Sequence, residues 1–242
     1  ILNIGQKHVP VVFADFMASA KIEPDQLVSI GYTYNQQTDK WNIADAAADY
    51  IYTGGKMIGF DLPGTLRVVC DYQAWLQTKE PAKYFPLFTG KNYAAAERRS
   101  AVANFIAIDV SSDHANVVSF LKNDRTLVAC IYATAKNAMQ QLRGFCIKLM
   151  QENISNPVII AVESMHKTVD EQLIHFSSTA GGSFLDGMGD GIWLMNDPSQ
   201  MQDLPMKGRT YLPMKNNHQF LNNTSFSILQ AVRTRISKTE YI

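Results

Sequence analysis

Neither sign of charge dominates this chain, in which 22 lysines and arginines stand against 22 aspartates and glutamates. A zero balance gives no general pull toward nucleic acid or an anionic membrane surface, so both drop out as first-rank partners. Cysteine is scarce. Cys70, Cys130 and Cys146 form an odd set with no CxxC spacing, which argues against a disulfide framework, a zinc site or a self-contained iron–sulfur site and leaves them as buried or free thiols. Apolar runs such as Val158–Val162 fall far short of the roughly 20 residues of a membrane helix, and no charged-then-apolar leader opens the chain. A soluble, cytoplasmic protein is expected. HExxH, the P-loop lysine motif and the GxSxG elbow are also missing, so three common hydrolytic and phosphoryl-transfer chemistries lack their signatures.

What is present is a chain of 242 residues, 46% hydrophobic and 18% charged, enough for one large core. It opens on Ile1 and stops at Glu240-Tyr241-Ile242, from which an origin in a longer protein is expected. Runs rich in β-branched and aromatic residues recur at Pro10–Asp15, Tyr50–Thr53, Leu66–Asp71, Phe105–Val110, Thr126–Tyr132, Pro157–Glu163 and Gly191–Met195. They do not alternate apolar with polar, which predicts parallel strands covered on both faces. Between them, Ala133–Glu152 carries Met139, Leu142, Phe145, Cys146, Leu149 and Met150 at helical spacing. A second helix is predicted over Thr168–Phe184, opening on a Thr168/Glu171 capping box, and a third over Asn223–Ile236, capped near Asn223 or Thr224. Seven strands interleaved with helices predict an α/β fold, a TIM-like (β/α)8 barrel that is irregular or short of a strand, with residues 16–49 and 72–103 as long decorating loops.

In such a barrel the strand C-terminal ends form the functional face. Here they hold Asp15, Thr53, Asp71, Asp109, Ser111, Asp113, His114, Tyr132, Glu163, His166 and Asn196. One reading makes this a carboxylate-rich pocket with His114 or His166 as general base or metal ligand. The simpler one is loop capping at strand ends. Glu163 and His166 have ExxH spacing, but paired helical motifs would be needed for a carboxylate-bridged metal site, and Glu171/His175 suits a local helical pair. The glycine cluster Gly187-Met188-Gly189-Asp190-Gly191 runs into a strand rather than a helix, so a tight turn is a better reading than a phosphate cradle.

Two segments go further. Ala180-Gly-Gly-Ser-Phe-Leu-Asp-Gly-Met-Gly-Asp-Gly-Ile192 resembles the turn into the last barrel strand of the 4-hydroxy-3-methylbut-2-enyl diphosphate synthase family. Leu221–Ile242 resembles the stretch that leads, in the long form of that family, into a Cys-Pro-Ser-Cys motif. Weaker likeness runs through Gly5–Pro10 and Ser29–Tyr34.

The resemblance implies a parent enzyme of isoprenoid biosynthesis. In that family a catalytic barrel binds a cyclic diphosphate, and a C-terminal domain holds a 4Fe-4S cluster through three cysteines and a glutamate. The long form, found in plants, Bacteroidetes and chlamydial groups, inserts an additional barrel between the two. On this view residues 1–236 are that inserted barrel and residues 237–242 the junction to the cluster domain, with Ser237, Lys238, Thr239, Glu240 and Tyr241 as a hinge. The implied partners are the catalytic barrel and cluster domain of the same parent chain, with ferredoxin or flavodoxin as electron donor. The family's last catalytic strand reads Gly-Asp-Thr-Ile-Arg-Val-Ser, whereas this chain has Gly189-Asp190-Gly191-Ile192-Trp193-Leu194-Met195. Trp193 and Met195 thus replace the diphosphate-binding arginine and serine, which implies a non-catalytic spacer without a cluster or other cofactor of its own. The competing readings are a stand-alone barrel enzyme acting on a small metal-bound or phosphorylated substrate through Asp109, Asp113, Glu163 and His166, and a module that docks an electron donor by an exposed patch.

Overall fold

Each barrel strand of this protein hydrogen-bonds to the next barrel strand in sequence, and β1 closes the ring. The computed structural model describes residues 1–80, 82–112, 114–201, 217–232 and 234–235. In chain order the elements are β1 (Val11–Asp15), a 3-10 turn (Pro24–Ile30), β2 (Tyr32–Asn35), β3 (Lys40–Ile43), β4 (Tyr50–Tyr52), β5 (Arg67–Asp71), α1 (Tyr72–Trp75) and β6 (Tyr84–Phe88). There follow α2 (Gly90–Ala94), β7 (Asn104–Asp109), α3 (Ala115–Asn123), β8 (Leu127–Tyr132), α4 (Ala138–Gln151), β9 (Val158–Ser164) and α5 (Val169–Phe176). A π turn (Ser177–Gly181), α6 (Gly182–Leu185), β10 (Gly191–Asn196), a 3-10 turn (Pro198–Gln200) and α7 (Asn217–Ala231) complete the chain. Eight parallel strands, β1 and β4 to β10, form a closed barrel, with β2 and β3 as a separate hairpin. The (β/α)8 expectation holds, and no strand is missing.

Strand burial explains the unbroken apolar runs, because both faces are covered. Val12, Ile51, Val68, Ile106, Ala129 and Ile160 face the helices, while Val11, Phe13, Tyr50, Val69, Phe85, Phe105, Val128 and Ile159 fill the interior. Phe13 is central to the inner layer. Its ring stacks on Tyr50 at 4.7 Å and on Trp193 at 5.6 Å and meets the edge of Phe105 at 5.7 Å, pairs worth about 0.5–1.5 kcal/mol each beyond their burial. Ile4 closes the interior from the strand N-terminal end. Beside it, Asn3 Oδ1 accepts from Tyr50 Oη at 2.8 Å and from Arg67 Nη1 at 3.2 Å.

Several sequence expectations are corrected. An eighth barrel strand, β6, runs through Tyr84-Phe85-Pro86, which lies in the stretch 72–103 assigned above to decorating loops. Pro86 stands opposite Cys70 in the ladder to β5, and it precedes the ladder to β7, which pairs only Leu87 and Phe88. The loop 16–49 contains the β2–β3 hairpin, whose turn includes Asp39 at φ 51. The helix predicted from Ala133 starts at Ala138, which frees residues 133–137 as a loop over the barrel mouth. The Thr168/Glu171 capping box forms as expected, but the helix passes into a π turn at Ser177. Asn223 and Thr224 are not caps, because α7 already includes Asn217. Ile236 lies outside the described residues.

The glycine cluster is a packing feature. At φ +101, a Cβ on Gly189 would stand 2.9 Å from Ile160 Cγ1, and one on Gly191 would stand 3.0 Å from the Val11 carbonyl oxygen. The turn from α6 into β10 therefore needs both positions bare. Helix α7 packs along β1 and β10 and spans the height of the barrel. At the mouth, Asn217 and Asn196 exchange amide hydrogen bonds at 2.7 and 2.9 Å. At the opposite end, Arg235 donates to the Pro10 carbonyl at 3.0 Å and grips Asp49 with both guanidinium nitrogens, at 2.6 and 3.3 Å.

Candidate functional site at the barrel mouth

Strand parity decides which polar residues meet at the mouth. Phe13, Phe105, Val128 and Ile159 point inward, so by two-residue alternation Asp15, Asp109, Tyr132 and Glu163 lie on the inner side near the strand ends. Tyr52 and Asp71 follow Tyr50 and Val69 in the same way.

Most of these carboxylates are already engaged. Asp15 accepts from the Met17 amide at 2.8 Å and from Trp193 Nε1 at 3.0 Å. Burial nevertheless pushes its carboxyl above the usual range, because desolvation penalises the charged form. Asp71 accepts from the Tyr52 hydroxyl at 2.7 Å, and burial followed by this carboxylate raises the Tyr52 phenol. Asp109 accepts from the Ser111 amide at 2.9 Å and the Thr134 hydroxyl at 3.2 Å, the loop-capping geometry of an Asx turn. Glu163 differs, being exposed at the end of β9 and lining the mouth.

The histidines are dispersed. His114 Nδ1 lies 2.8 Å from the Ser112 carbonyl and its ring packs edge-on against Phe145, on a different loop from Glu163. The His166 carbonyl accepts from Gln172 at 2.8 Å, and the His166 ring stands 5.2 Å from that of His175. Burial and then His166 hold the His175 imidazole below its ordinary range. Asp113 lies outside the described residues. Among the described residues, no three His, Cys, Asp or Glu side chains group tightly enough to hold a metal ion. Cys70, Cys130 and Cys146 are all buried free thiols. Burial raises Cys70 to about 12 and Cys146 to about 11, so none is a ready thiolate.

Trp193 and Met195 occupy successive inward positions on β10. Trp193, 4% exposed, wedges its indole between Phe13 and Tyr52, at 5.6 and 4.9 Å between ring centroids. Met195 lines the cavity beside it. A mouth ringed by Asp15, Asp71, Asp109 and Glu163 has the wrong sign for a polyanion. Sequence reading gave residues 133–137 to a helix and His175 only a helical neighbour, and it passed over a hollow under the mouth. The hollow did leave a signal, since Ala107, Cys130 and Ala161 are small residues at inward positions on consecutive strands.

No family model matches the chain. Over its whole length it is 28% identical to the 4-hydroxy-3-methylbut-2-en-1-yl diphosphate synthase (flavodoxin) of Bacteroides fragilis, of which it covers 32%. It is 29% identical, over 80% of its length, to the synthase of the same name from Parabacteroides distasonis, covering 28% of that protein. A shorter stretch of 97 residues, 39% of the chain, is 35% identical to 10% of the chloroplastic synthase (ferredoxin) of Arabidopsis thaliana. The chain thus spans about a third of the bacterial relatives it matches. That is the fit of a segment of the long form, as the sequence resemblance implies.

Proposed function

We propose that this chain is the inserted barrel of a long-form 4-hydroxy-3-methylbut-2-enyl diphosphate synthase and serves as a spacer rather than a catalyst. It holds a cluster-bearing domain, joined through residues 237–242, where that domain can close on the catalytic barrel of the same parent chain. The parent carries out the reductive ring opening with a 4Fe-4S cluster, supplied with electrons by a flavodoxin or ferredoxin of the kind its relatives' names specify.

One observation carries this reading: Trp193 fills the inner layer, at the position that the sequence resemblance matches to an arginine of the family's catalytic barrel. An indole wedged between Phe13 and Tyr52 leaves no room for a bidentate cation and offers a diphosphate no charge. Asn3 and Arg235 are both bonded around the start of β4, through Tyr50 and Asp49, at the end of the barrel away from the mouth.

The test is direct. Anaerobic incubation of the 242-residue chain with iron and sulfide should leave no cluster absorbance. Titration with the cyclic diphosphate should give no heat. Specific binding of that diphosphate would sink the spacer reading.

A further inference from the structure

Small side chains at three successive inward positions leave space beneath the barrel mouth. Ala107 on β7, Cys130 on β8 and Ala161 on β9 line a cavity of about 760 Å³, within the size range of small-molecule sites. Met17, Leu87, Met165 and Met195 form apolar walls, and Tyr52, Tyr132 and Trp193 add aromatic surface. Thioethers let such walls adapt to an apolar guest.

The charge on this space points one way. Asp15 and Glu163 both line it and repel each other. No described residue donates a hydrogen bond to Glu163, whereas Asp15 has only its two neutral donors. Against them stand Lys136, exposed at the rim, and Lys56, whose ammonium donates to the Met17 carbonyl at 2.6 Å and whose charge reaches Asp15. Burial and then His166 disfavour the imidazolium form of His175.

We propose that the cavity binds a small organic ammonium with an apolar body. The body fills the hollow over Ala107, Cys130 and Ala161, and the ammonium sits near Glu163 and Asp15 against the aromatic side chains. A cation there relieves the repulsion between the carboxylates and gains from the ring faces. An anion of the same shape meets two carboxylates. The site goes beyond the spacer reading, which requires no ligand, and stands or falls separately from it.

Calorimetric titration of the 242-residue chain with phenylbutylammonium, phenylbutanol and phenylbutyrate tests the idea, since the three share a body and differ in head charge. The ammonium should bind in the millimolar range or tighter, the alcohol about tenfold more weakly, and the carboxylate not at all. Glu163→Gln, at an exposed position, should bring the ammonium down to the level of the alcohol. Ala161→Leu, filling the hollow, should abolish binding of both while the melting transition is kept. The proposal is overturned if the ammonium does not bind, if the carboxylate binds as well as the ammonium, or if Glu163→Gln leaves ammonium affinity unchanged. Should Ala161→Leu fail to fold, the head-group series and Glu163→Gln still decide.

Discussion

Trp193 joins the inner aromatic layer to the polar rim, since its ring packs against Phe13 and Tyr52 while its N–H is bonded to Asp15. Replacing it with phenylalanine keeps a ring and removes the donor. A hydrogen bond to a charged group contributes about 1.5–3 kcal/mol, so Trp193→Phe should lower stability by that order. The loss should depend on pH. Asp15 already has a carboxyl pKa raised by burial, and the indole donor is one of the groups holding it down. Without that donor the folded pKa climbs further above the unfolded value. The stability gap between parent and variant should therefore be small below the ordinary aspartate range and widen as pH rises through the folded pKa. Urea unfolding at acidic and neutral pH measures it, and a gap that narrows on raising pH would contradict the role assigned to the indole. The sequence placed Trp193 on the last strand, but its partner lies on the first strand, 178 positions earlier. Closure of the barrel brings them together, and no local pattern records that.

Elements were legible where their pattern is local and hidden where neighbours decide. The runs in β1, β8 and β9 are apolar because each is buried on both faces, so composition was enough to find them. Strand β6 was missed because Pro86 signals an interruption until the late start of its ladder to β7 is known. Helix α7 was placed too late because Asn223 and Thr224 look like cap residues, yet both lie inside it, where the neighbouring Asn222, Thr224 and Ser225 are buried. Asn222 donates across to the Ala46 carbonyl at 2.9 Å, and Ser225 bonds back to Leu221 at 2.9 Å. The far end of this helix is fixed by charge. The Arg235 and Asp49 side chains are 17% and 19% exposed, Asp49 also accepts from the Val12 amide at 2.8 Å, and the guanidinium lies 4.8 Å from the Phe226 ring centroid. One contact set thus ties the end of α7 to the starts of β1 and β4. Surface pairs contribute under about 1 kcal/mol, and breaking a fully buried pair costs about 3–5 kcal/mol. Arg235→Gln should fall between, near 2 kcal/mol, seen as a lower urea midpoint with an unchanged slope.

At the scale of the whole molecule, the mouth and the contacts of Asn3 and Arg235 lie at opposite ends of the barrel, which lets one face vary without disturbing the other. Under the spacer reading, the face that matters for turnover is the one with Arg235, because orientation set there is transmitted through residues 237–241 to whatever follows. Those residues lie outside the described part, so the hinge assigned to them is tested by function. Proline fixes φ and removes an amide donor. Thr239→Pro in the full-length parent enzyme would restrict the backbone at the centre of the proposed hinge without touching a cluster ligand or the catalytic barrel. A misplacement of about 1 Å between reacting groups costs roughly a hundredfold in rate, so turnover should fall by between about ten- and a hundredfold. Iron content, the visible spectrum and affinity for the cyclic diphosphate should remain as in the parent. Loss of the cluster along with activity would mean that the proline damaged the neighbouring domain, and unchanged turnover would remove the hinge. If turnover falls while cluster and affinity hold, the lost rate lies in the approach of two intact domains, the step a spacer would control.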